Sequence, residues 1–519
     1  MAQRPLFPSE IDKEEIPYYL TASPTTAPLA REVVDREGVK PITYRWEELP
    51  DPVKSLVLKV WRGGELTPEE LDQLPYEEYA RYLFDPRRRF QRPEALDGVR
   101  VLEVCRPDWF SFGAQFCGSL LAEHGAEVIK IEDPVRGDAM RWVGPAVEEG
   151  GAMKAEGENW PPHGTALAGF CENRNKYCIT LDITTPRGRE VFKNLARNAD
   201  ILLENYDPGY LDSLGLGYRQ LSKMNPRLIY CAVTGYGQFG EEAWRRPFET
   251  GLQAMSTLCS FTGPINYTAE TLEEAQRGST PTRIGWPIGW IAGGLAAAVG
   301  VCGALLYRER KSGKGQFIDV SSYSLIMRCS DASFAWYSRS GRVRGPYGNW
   351  DWAICPYGLH PAKNGRYSVV AGVGRLWQFI CETIGTEEAK TLREAFPTNP
   401  ERIQWAAQQS INFEIDKWTS ARTVEEIDRE GMQAGFAGAG VYHIGEICAS
   451  PHFLDRGSIV EVDDPLYGKV LVQGTRPNFS ATPGRIKWLS HPMGWDNEAV
   501  LGRLLGLSRE EMKQLEQEG

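Results

Sequence analysis

Glycines 235, 237 and 240 follow the apolar run RLIYCAV in the pattern G-x-G-x-x-G. That spacing points first to phosphate chemistry, because side-chain-free residues let backbone N–H groups approach a pyrophosphate at a helix N-terminus. The continuation argues otherwise. The glycines run into EEAWRRP, whose Pro247 disfavours an established helix, and the motif follows about the fourth strand instead of the first. A glycine-rich turn is therefore expected. Metal chemistry has no better footing: eleven cysteines occur without a C-x-x-C pair, and the six histidines are scattered, His443 and His452 standing nine apart. Free thiols packed as small apolar groups are expected, and no metal site.

A second stretch invites a chemical reading. IGWIAGGLAAAVGVCGALLY, Ile288 to Tyr307, carries no charge and follows Pro287. Twenty uncharged residues are long enough to span a bilayer. Half of them, however, are Gly or Ala, which contribute little transfer energy, and RERKSGKGQ follows with no second span. The expectation is a buried helix packed closely on its neighbours.

Composition sets the frame for both stretches. With 519 residues, 42% hydrophobic and 24% charged, the chain has the balance of a globular protein of two or more domains. A net charge of -11 argues against general binding to nucleic acid or to an anionic membrane surface, so an anionic ligand needs a local basic patch. The first residues, MAQRPLFPSEIDKEE, contain no apolar run of the kind a secretory leader needs, which predicts a cytoplasmic protein.

From Leu96 the chain alternates strand and helix. VRVLEV reads as a buried strand, FCGSLLAEHGA as an amphipathic helix ending near Gly125, and EVIKIE as a second strand. KYCITLDI, DILLEN and RLIYCAV continue the series, and Thr185 with Pro186 makes a capped start for the helix PRGREVFKNLARNA. This order predicts an α/β fold with a parallel sheet covered on both faces.

LDGVRVLEV, FCGSLLAEHGAEVIKIEDPVRGDAMR, NRNKYCITLDITTPRGREVF, ADILLENYDPGYLDSLGLGY and NPRLIYCAVTGYGQFG together resemble the class III CoA-transferases, also called the CaiB/BaiF family. The resemblance continues through RERKSGKGQFIDVS and PHFLDRGSIVEV to HPMGWDNEAVLGRLLGLS. It implies a Rossmann-like large domain with a parallel sheet, a smaller α+β domain, and an interlocked dimer. On this chain the implied division is an N-terminal helical extension over 1–95, a large domain over 96–324, a linker over 325–345, a small domain over 346–473, and a return to the large domain over 474–519.

The resemblance also implies a ligand. CoA or acyl-CoA enters as substrate, with no permanently bound cofactor. Its nucleotide end maps onto Gly113 and Ala114, Leu181, Asp182 and Thr184, Asn205, Tyr206 and Asp207, and Arg246. Asp133 and Ser213 stand where relatives often have basic residues, which leaves Arg136, Arg141, Arg174 and Lys176 as candidate compensating charges.

In the family an Asp after the Gly of P-x-G-D attacks the thioester, forming a mixed anhydride. Here Pro287, Ile288, Gly289 and Trp290 occupy that place. An indole has one N–H donor and no nucleophilic oxygen. Three readings follow. The chain is a subunit of a CoA-transferase acting on an acyl-CoA and a carboxylic acid, with the Asp on a paralogous partner; or it is a self-sufficient transferase, racemase or lyase that uses Glu249, which aligns with an acidic or His position of relatives; or it is a non-catalytic CoA-binding scaffold. Trp286, Trp290 and GNWDWAICPYG suggest an aromatic or bulky acyl group, with Trp290 filling an emptied pocket as the opposing reading. In the extension, Thr67, Pro68 and Glu70 form a helix start, and its short helices are expected to clamp a partner subunit or the parent large domain.

Overall fold

The computed structural model describes residues 46–107, 112–141, 144–147 and 165–518; the N-terminal leader reading lies outside them. The chain forms two compact units. One comprises residues 86–259, 283–341 and 456–518 and carries a six-stranded parallel sheet. Its strands are β1 (Arg100–Val104), β2 (Glu127–Glu132), β3 (Lys176–Thr180), β4 (Ile201–Glu204), β5 (Ile229–Thr234) and β6 (Phe317–Ser321). They lie in the order β3-β2-β1-β4-β5-β6, every neighbouring pair parallel. The order turns between β1 and β4. In open α/β sheets a ligand crevice forms at that point, beyond the carboxyl ends of the strands.

The buried runs recognised in the sequence are these strands. Both faces of the central strands are covered: Leu102, Ile129, Ile179 and Leu202 point into one core, and Val101, Val128, Ile201 and Leu203 into the other. Helix α1 (Gly113–Glu123) ends before Gly125, which takes φ +108° to turn the chain into β2. Helix α2 (Pro186–Arg197) begins as expected, with Thr185 Oγ1 accepting the Gly188 N–H at 3.0 Å. Helix α3 (Glu249–Met255) follows the glycine turn after β5, in which Gly237 and Gly240 take positive φ. No helix opens directly at that turn, which is the glycine-rich turn expected from the sequence.

The apolar stretch is helix α4, Ile288–Tyr307. Trp290, Gly293, Gly294, Ala297, Val301 and Ala304 recur at helical spacing and are buried, whereas Leu295, Val299, Leu306 and Tyr307 are exposed in the single chain. Helix α4 crosses α1 at short range. A Cβ on Gly294 would lie 2.6 Å from the Gly113 carbonyl oxygen, and one on Gly113 would lie 2.8 Å from Val233 Cγ1. Small residues thus let the two backbones meet.

The other unit comprises residues 46–85, 260–282 and 342–455. Antiparallel strands Tyr357–Pro361, Tyr367–Ala371 and Ala437–Gly440 form its sheet. Helices Arg375–Ile384, Trp405–Ser420 and Val424–Ala434 bring Trp377, Ile411, Ile415, Trp418 and Ile427 into its core. Residues 46–85 of the N-terminal extension belong here, and 86–95 belong to the first unit. Thr67 and Glu70 make a reciprocal capping box, Trp61 Nε1 donates to Glu78 Oε2 at 3.0 Å, and Arg81 forms an ion pair with Asp455.

Candidate functional site

A cleft of about 550 Å³ opens beyond the carboxyl ends of β1, β2, β3 and β4. Leu181, Asp182 and Thr184 line one wall, from the loop that leads to α2. Tyr206 and Asp207 line another, from the loop after β4, with Tyr210 stacked on Tyr206 at 4.9 Å and an interplanar angle of 7°. Asn205 sits behind them, its Oδ1 accepting the Arg106 backbone N–H at 2.8 Å. The structure thus brings six of the positions implied for CoA around one crevice.

Three of those positions lie elsewhere. Gly113 and Ala114 are buried at the start of α1, Gly113 facing Trp290 and Val233, and neither lines the cleft. Arg246 is exposed after the glycine turn and is also absent from the lining.

The compensating charges are corrected more sharply. Arg136 lines the cleft, but Arg141 pairs with Glu132 at 2.7 Å, Arg174 with Glu123 at 2.5 Å and Lys176 with Glu103 at 2.6 Å, all buried. Each is buried against its carboxylate in an internal ion pair and so is turned away from a ligand's phosphates. Lys130 completes the network, bonding Glu103 Oε1 and Asp138 Oδ2 at 2.8 Å each.

Arg106, by contrast, was missed. It lies two residues past the end of β1, at the turn in strand order that the assembled sheet reveals. Two of the cleft's three aspartates are engaged by their own loops: Asp133 Oδ1 accepts the N–H groups of Val135 and Arg136, and Asp182 Oδ1 accepts the N–H and hydroxyl of Thr184.

Glu204, at the end of β4, is buried and accepts the Tyr206 N–H at 2.7 Å. Burial, reinforced by the charges of Asp319 and Asp207, pushes its carboxyl up to about 8. Asp319 in turn accepts the Gln238 N–H at 3.3 Å.

Position 290 lies at the N-terminus of α4. The Trp290 side chain is 0% exposed, packed with Phe112, Met140, Tyr236, Leu252 and Ile326, and its Nε1 has no hydrogen-bond partner among the described residues. The ring has no open face on which an acyl group could stack. Trp286, nearby in sequence, is exposed.

Glu249, 8% exposed, faces the same helix end. Its Oε1 accepts the Gly289 N–H at 2.9 Å and the Gln253 Nε2–H at 2.8 Å, and its Oε2 accepts the Trp290 N–H at 3.2 Å. Pro287 offers no side-chain cap, so a residue from α3 supplies it. A carboxylate there also suits the positive end of the helix dipole.

Comparison with known proteins places this geometry in context. Residues 96–497 match the model of CoA-transferase family III. The chain is 32% identical over 429 residues to succinyl-CoA–D-citramalate CoA-transferase of Chloroflexus aurantiacus, covering 82% of this chain and 97% of that protein. It is 30% identical over 428 residues to the succinyl-CoA–L-malate CoA-transferase beta subunit of the same organism, covering 81% and 96%. Among solved structures, a CaiB/BaiF family protein from Brucella suis superposes with a TM-score of 0.65 at 27% identity, covering 80% of this chain and all of that one. The chain belongs to CoA-transferase family III.

Proposed function

We propose that this chain is one subunit of a cytoplasmic CoA-transferase that moves CoA between an acyl-CoA donor and a carboxylic acid acceptor, and that a paralogous partner carries the nucleophilic Asp. One observation carries the division of labour. The place that the family resemblance gives to the nucleophile holds a fully buried indole in an apolar cluster.

The chemistry explains why that matters. A carboxylate attacks the donor thioester carbonyl, forming a mixed anhydride and expelling CoA thiolate. The thiolate attacks the anhydride to give an enzyme-bound thioester, releasing the donor's acid. The acceptor carboxylate then repeats the exchange and leaves as its CoA thioester. Trp290 has no oxygen with which to begin. The crevice formed by Leu181, Asp182, Thr184, Tyr206 and Asp207 holds the nucleotide end of CoA in this reading, with Arg106 and Arg136 as its cations.

Both relatives are named for succinyl-CoA, which makes it the first donor to assay, with dicarboxylic acids as acceptors. The beta-subunit name of one relative gives a precedent within the family for a divided enzyme. Expressed alone, the chain should show no CoA transfer, and co-expression with a paralogue that has Asp at the position of Trp290 should restore it. Robust turnover by the purified single chain would refute the proposal.

A self-sufficient enzyme using Glu249 has one observation in its favour, the proximity of that carboxylate to position 290. Three accepted hydrogen bonds weigh against it, because they leave the oxygens engaged in holding a helix end. Full activity of Glu249→Gln in a working assembly would remove this reading.

A further inference from the structure

One ion pair joins two walls of the crevice. Arg106 follows β1, and Asp207 stands three residues after the end of β4, so the pair links the two strands between which the strand order turns. Arg106 Nη1 lies 2.5 Å from Asp207 Oδ2, while the Arg106 backbone N–H is held by Asn205 Oδ1. Residues on both sides of Tyr206 therefore engage Arg106, Asn205 through its backbone and Asp207 through its guanidinium. The other two aspartates of the lining accept hydrogen bonds from their own loops, as described above. Asp207 places its charge on a cation of the neighbouring wall, with its side chain 55% exposed and that of Arg106 16% exposed.

We infer that Asp207 is a specificity-determining residue of this crevice that acts as a resident anion, competing with the ligand's phosphates for Arg106. The inference rests on the CoA reading of the crevice. A phosphate that takes the Nη1 donor of Arg106 must displace Asp207, and one that uses the other N–H groups must lie close to a carboxylate of its own sign. Either arrangement weakens binding. The repulsion grows with the charge of the ligand and fades as salt screens it. Asp207 thus holds CoA affinity below what the remaining contacts permit, which suits a site that must release CoA as readily as it binds it.

Titration calorimetry on the full-length chain separates the outcomes, with CoA and dephospho-CoA as ligands at low and high salt. Asp207→Asn should bind CoA about three- to tenfold more tightly than wild type at low salt, with a smaller gain for dephospho-CoA, and both gains should shrink in high salt. Asp207→Ser, which lacks carboxylate and amide alike, should show the same order of effects. A purely structural pair would lower thermal stability in both variants without a gain that follows ligand charge. If wild type binds CoA and both variants bind it equally or more weakly, the inference fails and the CoA reading stands. If folded wild type binds no CoA, that reading fails and takes the inference with it.

Discussion

The carboxylate of Glu249 and the backbone of Trp290 are joined by a hydrogen bond of 3.2 Å that closes the N-terminus of a twenty-residue apolar helix. Glu249→Ala would leave the N–H groups of Gly289 and Trp290 and the amide of Gln253 without their present acceptor. A loss of about 2–3 kcal/mol is expected. Glu249→Gln keeps one acceptor oxygen and should lose about half as much. Denaturant unfolding followed by tryptophan fluorescence measures both.

Position 290 offers a test of whether its indole N–H is used. Trp290→Phe removes a buried donor that has no partner and keeps an aromatic ring in the apolar cluster, so it should cost no more than about 2 kcal/mol. Trp290→Ala opens a cavity and should cost about 3–5 kcal/mol. Equal losses in the two variants, measured by unfolding, would mean that Nε1 has an essential partner.

Glu204 makes a pH prediction whose sign is fixed by its raised pKa. From the ordinary value of 4.5 up to about 8, the folded protein retains a proton on this carboxyl that the unfolded chain has lost. Stability contributed by the neutral acid is therefore complete below about 4.5 and declines as pH rises through about 8, with a limiting slope near 1.4 kcal/mol per pH unit. Glu204→Gln keeps an acceptor for the Tyr206 N–H and should flatten that slope. Thermal melts of both proteins from pH 5 to 9 test it.

The buried ion network predicts a large effect from a small change. A Cβ on Gly118 would lie 2.0 Å from Glu103 Oε2, which also receives the Lys176 ammonium. Gly118→Ala should therefore displace the carboxylate and destabilise the protein despite the better helix propensity of Ala. Glu103→Gln, which leaves two buried ammonium groups undercompensated, should cost about 3–5 kcal/mol. Recovery of soluble protein and its thermal midpoint report both.

Much of the sheet was legible because strands covered on both faces appear as short apolar runs, and because Thr185 and Thr67 announce helix starts within three residues. What stayed hidden depends on partners distant in sequence. The cap of α4 comes from 40 residues upstream, and nothing near Pro287 signals it. Arg141, Arg174 and Lys176 look like surface charges in a local window, and only the folded chain buries Glu132, Glu123 and Glu103 against them. Arg106 was overlooked for the same reason: its importance comes from the turn in strand order, which no single segment contains.

The contact between α1 and α4 bears on how such a site can change its role. Where Gly113 and Gly294 bring main chain against main chain, neither position has room for a side chain. That contact beside position 290 is made by main chain and does not pass through the side chain presented there. Descent could exchange a reactive group for an inert one at that spot while the neighbouring architecture persisted, turning a catalyst into a companion without rebuilding it.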